Sequence, residues 1–462
     1  MPLKVFNTLS RKLEAIRPIN PKEIRMYTCG PTVYDTAHIG NMRTFMFEDL
    51  LKRYLLYKGF QVLHVMNITD VDDRTIERAQ TENQSREDIT DQYTRLFLED
   101  METLNILPAD HLPRATEFIP QMVESIKILI EKRHAYQTDE GSIYFDVSSY
   151  PDYGCLARLD AEELRPGERV ADDSYEKEEA RDFALWKAHK PSDGDNAWPS
   201  PWGKGRPGWH IECSVMSTHF LGEHFDIHCG GVDNIFPHHE NEIAQSKCLS
   251  DTPFANLWIH GEHLIVDGRK MSKSLGNYYT LRDILDEKLP PEAVRYTLLA
   301  TNYRQKLNFT FEKVRESQKA INRLRELARR LEAVPSSQEG SDMEPPDRAV
   351  EISLDDDLNI AGALGAIFSW AKDLFSYMDN DNLSYASAQT SLKALRRYDT
   401  IFGVVYFNLE SDLEQELKAL IMAREQARQA HDWEKADAIR EELRSKGIII
   451  EDTPTGTVWK KG

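Results

Sequence analysis

Apolar residues recur at Met42, Phe45, Met46, Leu50, Leu51, Tyr54 and Leu55. Steps of three and four place them on one face of a helix, which should stop at Gly59. Residues 25–29 read as a short strand before it, followed by a turn-rich loop over 30–41. Residues 61–69 form a second apolar, β-branched run after it. Together these predict a β-loop-α-β unit, hence a parallel sheet with a right-handed crossover.

Between about residues 114 and 206 the pattern changes. A helix near 117–134 precedes an alternating segment at 142–147 and an acidic stretch around 176–182, which together read as an insertion between two halves of the parallel-sheet fold. The second half resumes at Gly208, with helices near 211–220 and 238–249 and strands near 225–229 and 257–260. Beyond Leu281 the chain becomes mostly helical, with helices near 358–377 and 385–401. Residues 334–347, rich in Ser, Gly, Pro and acid, form a linker or a loop between helices. Asp432 can cap a helix over 433–446 that stops at Gly447. Residues 448–451 and 456–459 flank a Pro-Thr-Gly turn and read as a hairpin.

Composition narrows the class. A chain of 462 residues exceeds one ordinary core and predicts two to four domains. With 40% hydrophobic and 29% charged residues and a mean hydropathy of −0.55, it is expected to be soluble and cytoplasmic. No apolar run approaches the roughly 18 residues a membrane span needs, and Met1-Pro2-Leu3-Lys4 does not open a signal peptide. Five scattered cysteines point to free thiols, some of them available to a metal. The net charge of −20 excludes an unspecialised DNA-coating protein but leaves room for a nucleic acid on a local basic face.

Three constellations carry chemistry. His38-Ile39-Gly40-Asn41 lies where a loop opens a helix, and helix N-termini offer unpaired amides and a positive dipole end to phosphates. An imidazole there can donate to developing charge. Alone, the tetrapeptide also fits a surface histidine beside a turn glycine. Lys270-Met271-Ser272-Lys273-Ser274 sets two lysines three apart, able to clamp a triphosphate. Its alternative is a solvated basic turn, which the co-occurrence with the first motif disfavours.

The third constellation is a metal-ligand set. Cys29 ends the first strand, Cys213 lies in a predicted helix, and His238, His239 and Glu242 lie where another helix begins. Both His238–Glu242 (four apart) and His239–Glu242 (three apart) can share a helix face. Sulfur, nitrogen and carboxylate donors suit zinc. A zinc hydrolase is the competing reading, but His239-Glu240 is followed by Ile243 where the second histidine of that motif should stand. His210, His219, His224 and His228 are expected to be structural or pocket-lining.

At these residues the chain strongly resembles the cysteinyl-tRNA synthetases, a family of class I aminoacyl-tRNA synthetases. The matching stretches are residues 27–41, 67–73, 182–190, 200–214, 230–246 and 270–277, and the likeness runs through 433–459. The resemblance implies zinc ligands Cys29, Cys213, His238 and Glu242, and cysteine contacts from Gly30, Thr69, Trp209 and Asp233. It implies ATP contacts from His38, Gly40, Asn41, Lys270, Ser272 and Lys273, with His38, Lys270 and Lys273 catalytic. One departure stands out: the first ATP signature usually ends in His, and here it ends in Asn41.

The implied fold is a Rossmann-like catalytic domain split by a connective insertion, followed by a helical bundle and a small mixed α/β domain. Expected boundaries are 1–113 and 207–265 for the catalytic halves, 114–206 for the insertion and 266–312 for the catalytic-loop and stem-contact region. The tRNA-binding bundle is expected at 313–405 and the anticodon-recognition domain at 406–462. The implied activity is Mg-ATP-dependent activation of L-cysteine and its transfer to tRNA(Cys), by a monomer holding one zinc. Trp433, Arg440 and Trp459 are candidate tRNA contacts, because unstacked bases pair with aromatic and guanidinium faces; packing of the small domain is the alternative for each. Two other functions fit the same fold: a ligase joining cysteine to an amino sugar, and a non-catalytic zinc- or nucleotide-binding paralogue.

Overall fold

The computed structural model describes residues 2–159, 164–170, 180–250, 252–272, 275–406, 420, 423–424, 427, 432–445, 448–453 and 456–461. The chain divides into two compact units, Met1–Val404 and Val405–Gly462.

The first unit opens with a hairpin, β1 (Lys4–Asn7) and β2 (Lys12–Ala15), that the hydrophobic pattern does not signal. Next come β3 (Glu23–Thr28), α1 (Ile39–Tyr57) and β4 (Gln61–Met66), the β-α-β unit expected from the sequence. Helix α1 starts earlier than its apolar run suggests. His38 is extended at the N-cap, its Nδ1 accepts from the Asn41 amide, and the Asn41 side chain accepts from the His38 amide. This reciprocal cap draws Gly40 and Asn41 into the first turn.

Helices α2 (Asp73–Glu82) and α3 (Arg86–Thr103) follow, then α4 (Ile119–Glu131), strands β5 (Ala135–Gln137), β6 (Ile143–Phe145), β7 (Leu164–Val170), β8 (Ala180–Ala188) and β9 (Gly205–Pro207). The strands of this insertion form their own sheet in the order β5-β6-β8-β7, with β9 pairing β8. Ile143, Phe145, Phe183, Leu185 and Trp186 pack with α4 in a continuous apolar cluster. Part of the acidic stretch around 176–182 lies outside the described residues.

The chain then returns through α5 (Trp209–Leu221), β10 (Phe225–Gly231), α6 (Glu240–Leu249) and β11 (Ala255–Gly261). Strands β10 and β11 join the central sheet in the order β11-β10-β3-β4, all neighbours parallel, with Cys229 opposite Thr28 and Ile259. The strand order reverses direction between β3 and β10. In open parallel sheets, the carboxyl edge at such a switch point is where ligands bind. Thr28, Met66, Gly231 and Gly261 end their strands on that edge.

A small sheet of β12 (Leu264–Val266), β13 (Arg269–Lys270) and β14 (Leu307–Phe309) lies downstream, with α7 (Leu281–Asp286) and α8 (Pro291–Leu299) between its last two strands. The bundle follows as α9 (Phe311–Glu332), α10 (Asp347–Asp355), α11 (Ile360–Asp379) and α12 (Tyr385–Phe402). On α9, Val314, Ile321, Leu324, Leu327 and Leu331 make the buried stripe. The 334–347 segment is a loop within the bundle, fastened by the Ser341 amide to the Asn382 carbonyl at 2.8 Å and the Met343 amide to Ser387 Oγ at 2.8 Å.

Helix α1 packs against the sheet on one side and α8 and α12 on the other, which explains why it buries charges. Fully buried Asp49 receives Arg295 Nη2 at 2.6 Å, Arg53 Nε at 2.8 Å and the Leu107 amide at 2.9 Å. Burial alone would raise its pKa, but the two guanidiniums hold it below the usual carboxylate range.

In the second unit, α13 (Trp433–Ser445) precedes the hairpin β15 (Ile448–Thr453) and β16 (Gly456–Lys461), whose strands run two residues longer than expected. Asp432 caps α13, accepting from the Lys435 amide at 3.2 Å. Gly447, the expected stop, lies outside the described residues.

Candidate active site

Cys29 follows β3 directly, at the switch point, its amide donating to the Cys229 carbonyl at 3.3 Å. Cys213 comes from the second turn of α5. His238 and Glu242 come from a wide helical turn, Ile235–His239, that runs into α6. His238 Nε2 lies 3.3 Å from Cys213 Sγ and 3.1 Å from Glu242 Oε1, and Cys29 Sγ lies 3.9 Å from the same oxygen. The donor atoms of these four buried residues all lie within 4.8 Å of one another.

The structure also brings His239 inward. Its Nε2 lies 3.2 Å from Cys29 Sγ, and Cys29, His228, His239 and Glu242 form a second set of donors equally close together. The helix-face argument could not choose between His238 and His239, and both are buried here. Residues 237–246 are all buried, so this helical segment has no solvent face to send one imidazole outward.

Supporting contacts fix the donors. His210 Nδ1 meets His238 Nδ1 at 3.0 Å, and the Trp209 ring stacks on His238 with centroids 4.1 Å apart. His228 Nε2 meets Glu242 Oε2 at 2.9 Å, and His239 Nδ1 meets His260 Nε2 at 2.8 Å. Burial pushes the Cys29 and Cys213 thiols up, Glu242 up to about 8, and His238 and His228 down to about 3. Desolvation therefore favours the neutral form of each donor, and a divalent cation would supply the charge that lets thiolates and carboxylate form. Two thiols, an imidazole and a carboxylate in one dry cluster fit a zinc ion in donor type.

Glu240, the acid of the incomplete hydrolase motif, is spoken for. Its carboxylate accepts from the amides of Gly154, Leu156 and Ala157 at 2.8–2.9 Å. It pins the insertion's 154–157 loop to α6 instead of facing a reacting centre.

Gly30, beside Cys29, donates its amide to Asn67 Oδ1 at 2.9 Å; a Cβ there would sit 1.7 Å from the Asn67 carbonyl oxygen. Thr69 Oγ1 accepts from Asn67 Nδ2 and donates to Glu212 Oε2, both at 3.1 Å. Asn67 and Glu212 are functional-site neighbours that sequence patterning did not single out. Of the four expected cysteine contacts, Gly30 and Trp209 flank the donor cluster, Thr69 is tied to it through Asn67 and Glu212, and Asp233 faces an adjoining cavity.

That cavity, about 360 Å³, is lined by His38, Gly40, Asn41, Asp233, Lys270 and Met271 among others. Both signatures thus border one space. The first signature is bonded to the segment just beyond the second: the Ile39 amide donates to the Tyr279 carbonyl at 2.9 Å, and a bridge pairs His38 with Thr280. Asn277 shapes the second signature, accepting from the Ser272 amide at 2.8 Å and donating to the Lys270 carbonyl at 3.2 Å. Lys273 and Ser274 lie outside the described residues. Residues 229–233 connect the two sites: a Cβ on Gly230 would lie 2.8 Å from the His239 ring, and Gly231 abuts Asp233.

In the second unit, Trp433 and Arg440 are exposed and, seven residues apart on α13, share a face. Ala436, Ile439 and Leu443 are buried. The side chain of Trp459 lies outside the described residues.

Comparison with known proteins converges on one family. Residues 15–319 match the model of the class I (C) tRNA synthetase catalytic domain, 349–407 that of the DALR domain, and 410–459 that of the cysteinyl-tRNA ligase anticodon binding domain. A cysteine–tRNA ligase of Protochlamydia amoebophila is 46% identical, with 100% of this chain and 98% of that protein aligned; one of Chlamydia muridarum is 47% identical, with 100% of both aligned. Among solved structures, methionyl-tRNA synthetase of Mycobacterium tuberculosis in complex with methionyl-adenylate aligns with a TM-score of 0.61 at 16% identity, covering 83% of this chain and 92% of that one, a likeness of fold. A catalytic-domain match across most of the chain and near-half identity over its full length make this protein a member of the cysteinyl-tRNA synthetase family, within class I of the aminoacyl-tRNA synthetases.

Proposed function

We propose that the chain activates L-cysteine with Mg-ATP and transfers it to tRNA(Cys). The observation that carries this reading is the joining, through residues 229–233, of a cavity bordered by both ATP signatures to a buried cluster of sulfur, imidazole and carboxylate donors.

The cysteine carboxylate attacks the α-phosphate of Mg-ATP, forming the mixed anhydride cysteinyl-adenylate and releasing pyrophosphate. A terminal ribose hydroxyl of tRNA(Cys) then takes the acyl group, and AMP leaves. Because His38 Nδ1 accepts from the Asn41 amide, the neutral ring carries its proton on Nε2, where it donates to charge developing on the phosphoryl oxygens. Lys270 and Lys273 hold the polyphosphate, and the Asp233 carboxylate takes the substrate ammonium. Gly30, Thr69 and Trp209 shape the amino-acid pocket.

Cys29, Cys213, His238 and Glu242 would hold a zinc, which when bound would supply a Lewis acid that prefers a thiolate to a hydroxyl. That preference answers a selectivity problem, because shape alone separates such near-isosteres by only about a hundredfold. The carboxyl-terminal unit, with Trp433, Arg440 and Trp459, reads the anticodon. The protein works in the cytoplasm as a monomer.

A ligase for an amino sugar has no use for an anticodon module, and the match over 410–459 favours tRNA as acceptor. Charging assays with cysteine, serine and tRNA(Cys) test the proposal. Formation of cysteinyl-tRNA and not seryl-tRNA supports it; adenylate formation without tRNA charging overturns it.

A further inference from the structure

Lys306 belongs to neither ATP signature, yet it lines the same cavity as His38 and Lys270. It immediately precedes β14, which pairs in parallel with β12, Leu307 opposite Leu264. On the other side of β12, β13 places Lys270 opposite Ile265. The small sheet therefore carries one lysine on each flank of β12. Two strand spacings and an offset of two residues separate their backbones by about 12 Å. Two extended lysine side chains can close that gap around a polyphosphate.

The anchoring is firm. Leu307 and Phe309 are buried, the Gln305 amide closes a turn onto the Asn302 carbonyl at 2.9 Å, and the Leu307 amide donates to the His263 carbonyl at 3.3 Å. The neighbouring cation is occupied elsewhere: Arg304 pairs with Asp357 at 2.5 Å and covers the Phe6 ring. Among the described residues, no carboxylate holds Lys306. Lys306 is exposed at the cavity, whose lining also holds Asp233 and Glu262, and with Lys270 it gives this side of the cavity two ammonium groups that can take an anion.

We propose that Lys306 is a further substrate-binding residue, contacting the β- and γ-phosphates of ATP and hence the pyrophosphate that departs. This rests on the reading of the cavity as the ATP site. Lys270, on β13, and Lys306, just before β14, form a clamp from the two flanks of β12. A charge-assisted contact of this kind corresponds to about a tenfold change in affinity.

The test is cysteine-dependent ATP–pyrophosphate exchange with Lys306→Ala, Lys306→Gln and Lys306→Arg in the full chain. Ala and Gln are expected to raise the KM for ATP about tenfold and weaken inhibition by pyrophosphate in proportion, leave inhibition by AMP unchanged, and be rescued by Arg. Unchanged ATP and pyrophosphate affinities would overturn the assignment. So would equal weakening of AMP, or normal exchange with only tRNA charging slowed, which would give the ammonium to the tRNA end. Absence of cysteine-dependent exchange in the unmodified chain would overturn the ATP reading itself, and this one with it.

Discussion

The amide of Asn41 donates to Nδ1 of His38 at 3.1 Å, and the Asn41 side chain answers by accepting from the His38 amide. One exchange of hydrogen bonds caps α1 and fixes which ring nitrogen carries the proton. The residue that departs from the usual signature is thus the partner that orients the imidazole proposed to act in catalysis.

Replacing His38 with Ala removes both roles. Pyrophosphate exchange is expected to fall by about a hundredfold or more, as for loss of a transition-state donor, and the protein to lose about 1 kcal/mol from the missing cap. Zinc content should not change. Asn41→Ala keeps the imidazole but loses half the cap, so exchange should fall by less; steady-state exchange and thermal unfolding measure both effects.

Zinc stoichiometry separates the two donor sets around Cys29 and Glu242. Cys213→Ala and His238→Ala are expected to lower bound zinc well below one per chain, whereas His228→Ala should keep it near one. Metal analysis after dialysis against a chelator reads the outcome. Full zinc retention in Cys213→Ala would move the metal to the His228–His239 side.

Asp49 is the electrostatic knot between α1, α8 and the 104–107 loop. Arg295, itself fully buried, also donates to the Leu104, Asn105 and Phe402 carbonyls. Asp49→Ala leaves that guanidinium uncompensated and is expected to cost about 3–5 kcal/mol, visible as a large drop in the denaturant midpoint.

Asp100 gives a pH signature. Burial pushes its pKa from 3.8 up to about 6; Arg282, 3.4 Å away, offsets this only partly, and Oδ2 has no partner. Between those values the folded state binds the extra proton, so this group's contribution makes unfolding easier as pH rises from about 4 to 6. Asp100→Asn is expected to stabilise the protein by about 1 kcal/mol at pH 7 and by nothing at pH 3.5. Chemical denaturation at the two pH values checks the sign.

What patterning could read follows from which faces are wet. The β-α-β unit was legible because α1 keeps a clear apolar periodicity. Its first turn was missed because Gly40 and Asn41 look like turn residues until the His38 cap is seen. In the insertion, only β6 alternates plainly. Strand β10 is buried throughout, so its alternation could not mark His228 as facing Glu242. Both ATP signatures were legible as motifs, but the bond from Ile39 to Tyr279, just beyond the second, is a tertiary contact with no sequence pattern. Spacing named the cluster of Cys29, Cys213 and Glu242 without choosing a histidine, since steps of three and four both reach Glu242 and the segment is buried on every side.

In the proposed function the protein activates cysteine, and its metal cluster selects the thiol. The most direct measurement is ATP–pyrophosphate exchange with cysteine and with serine, before and after metal removal and zinc reloading. Cysteine-dependent exchange should disappear on stripping and return with one zinc per chain, while exchange with serine stays below that with cysteine by far more than the roughly hundredfold that shape provides. Full activity in the stripped protein, or comparable exchange with serine, would contradict thiol selection by the metal cluster.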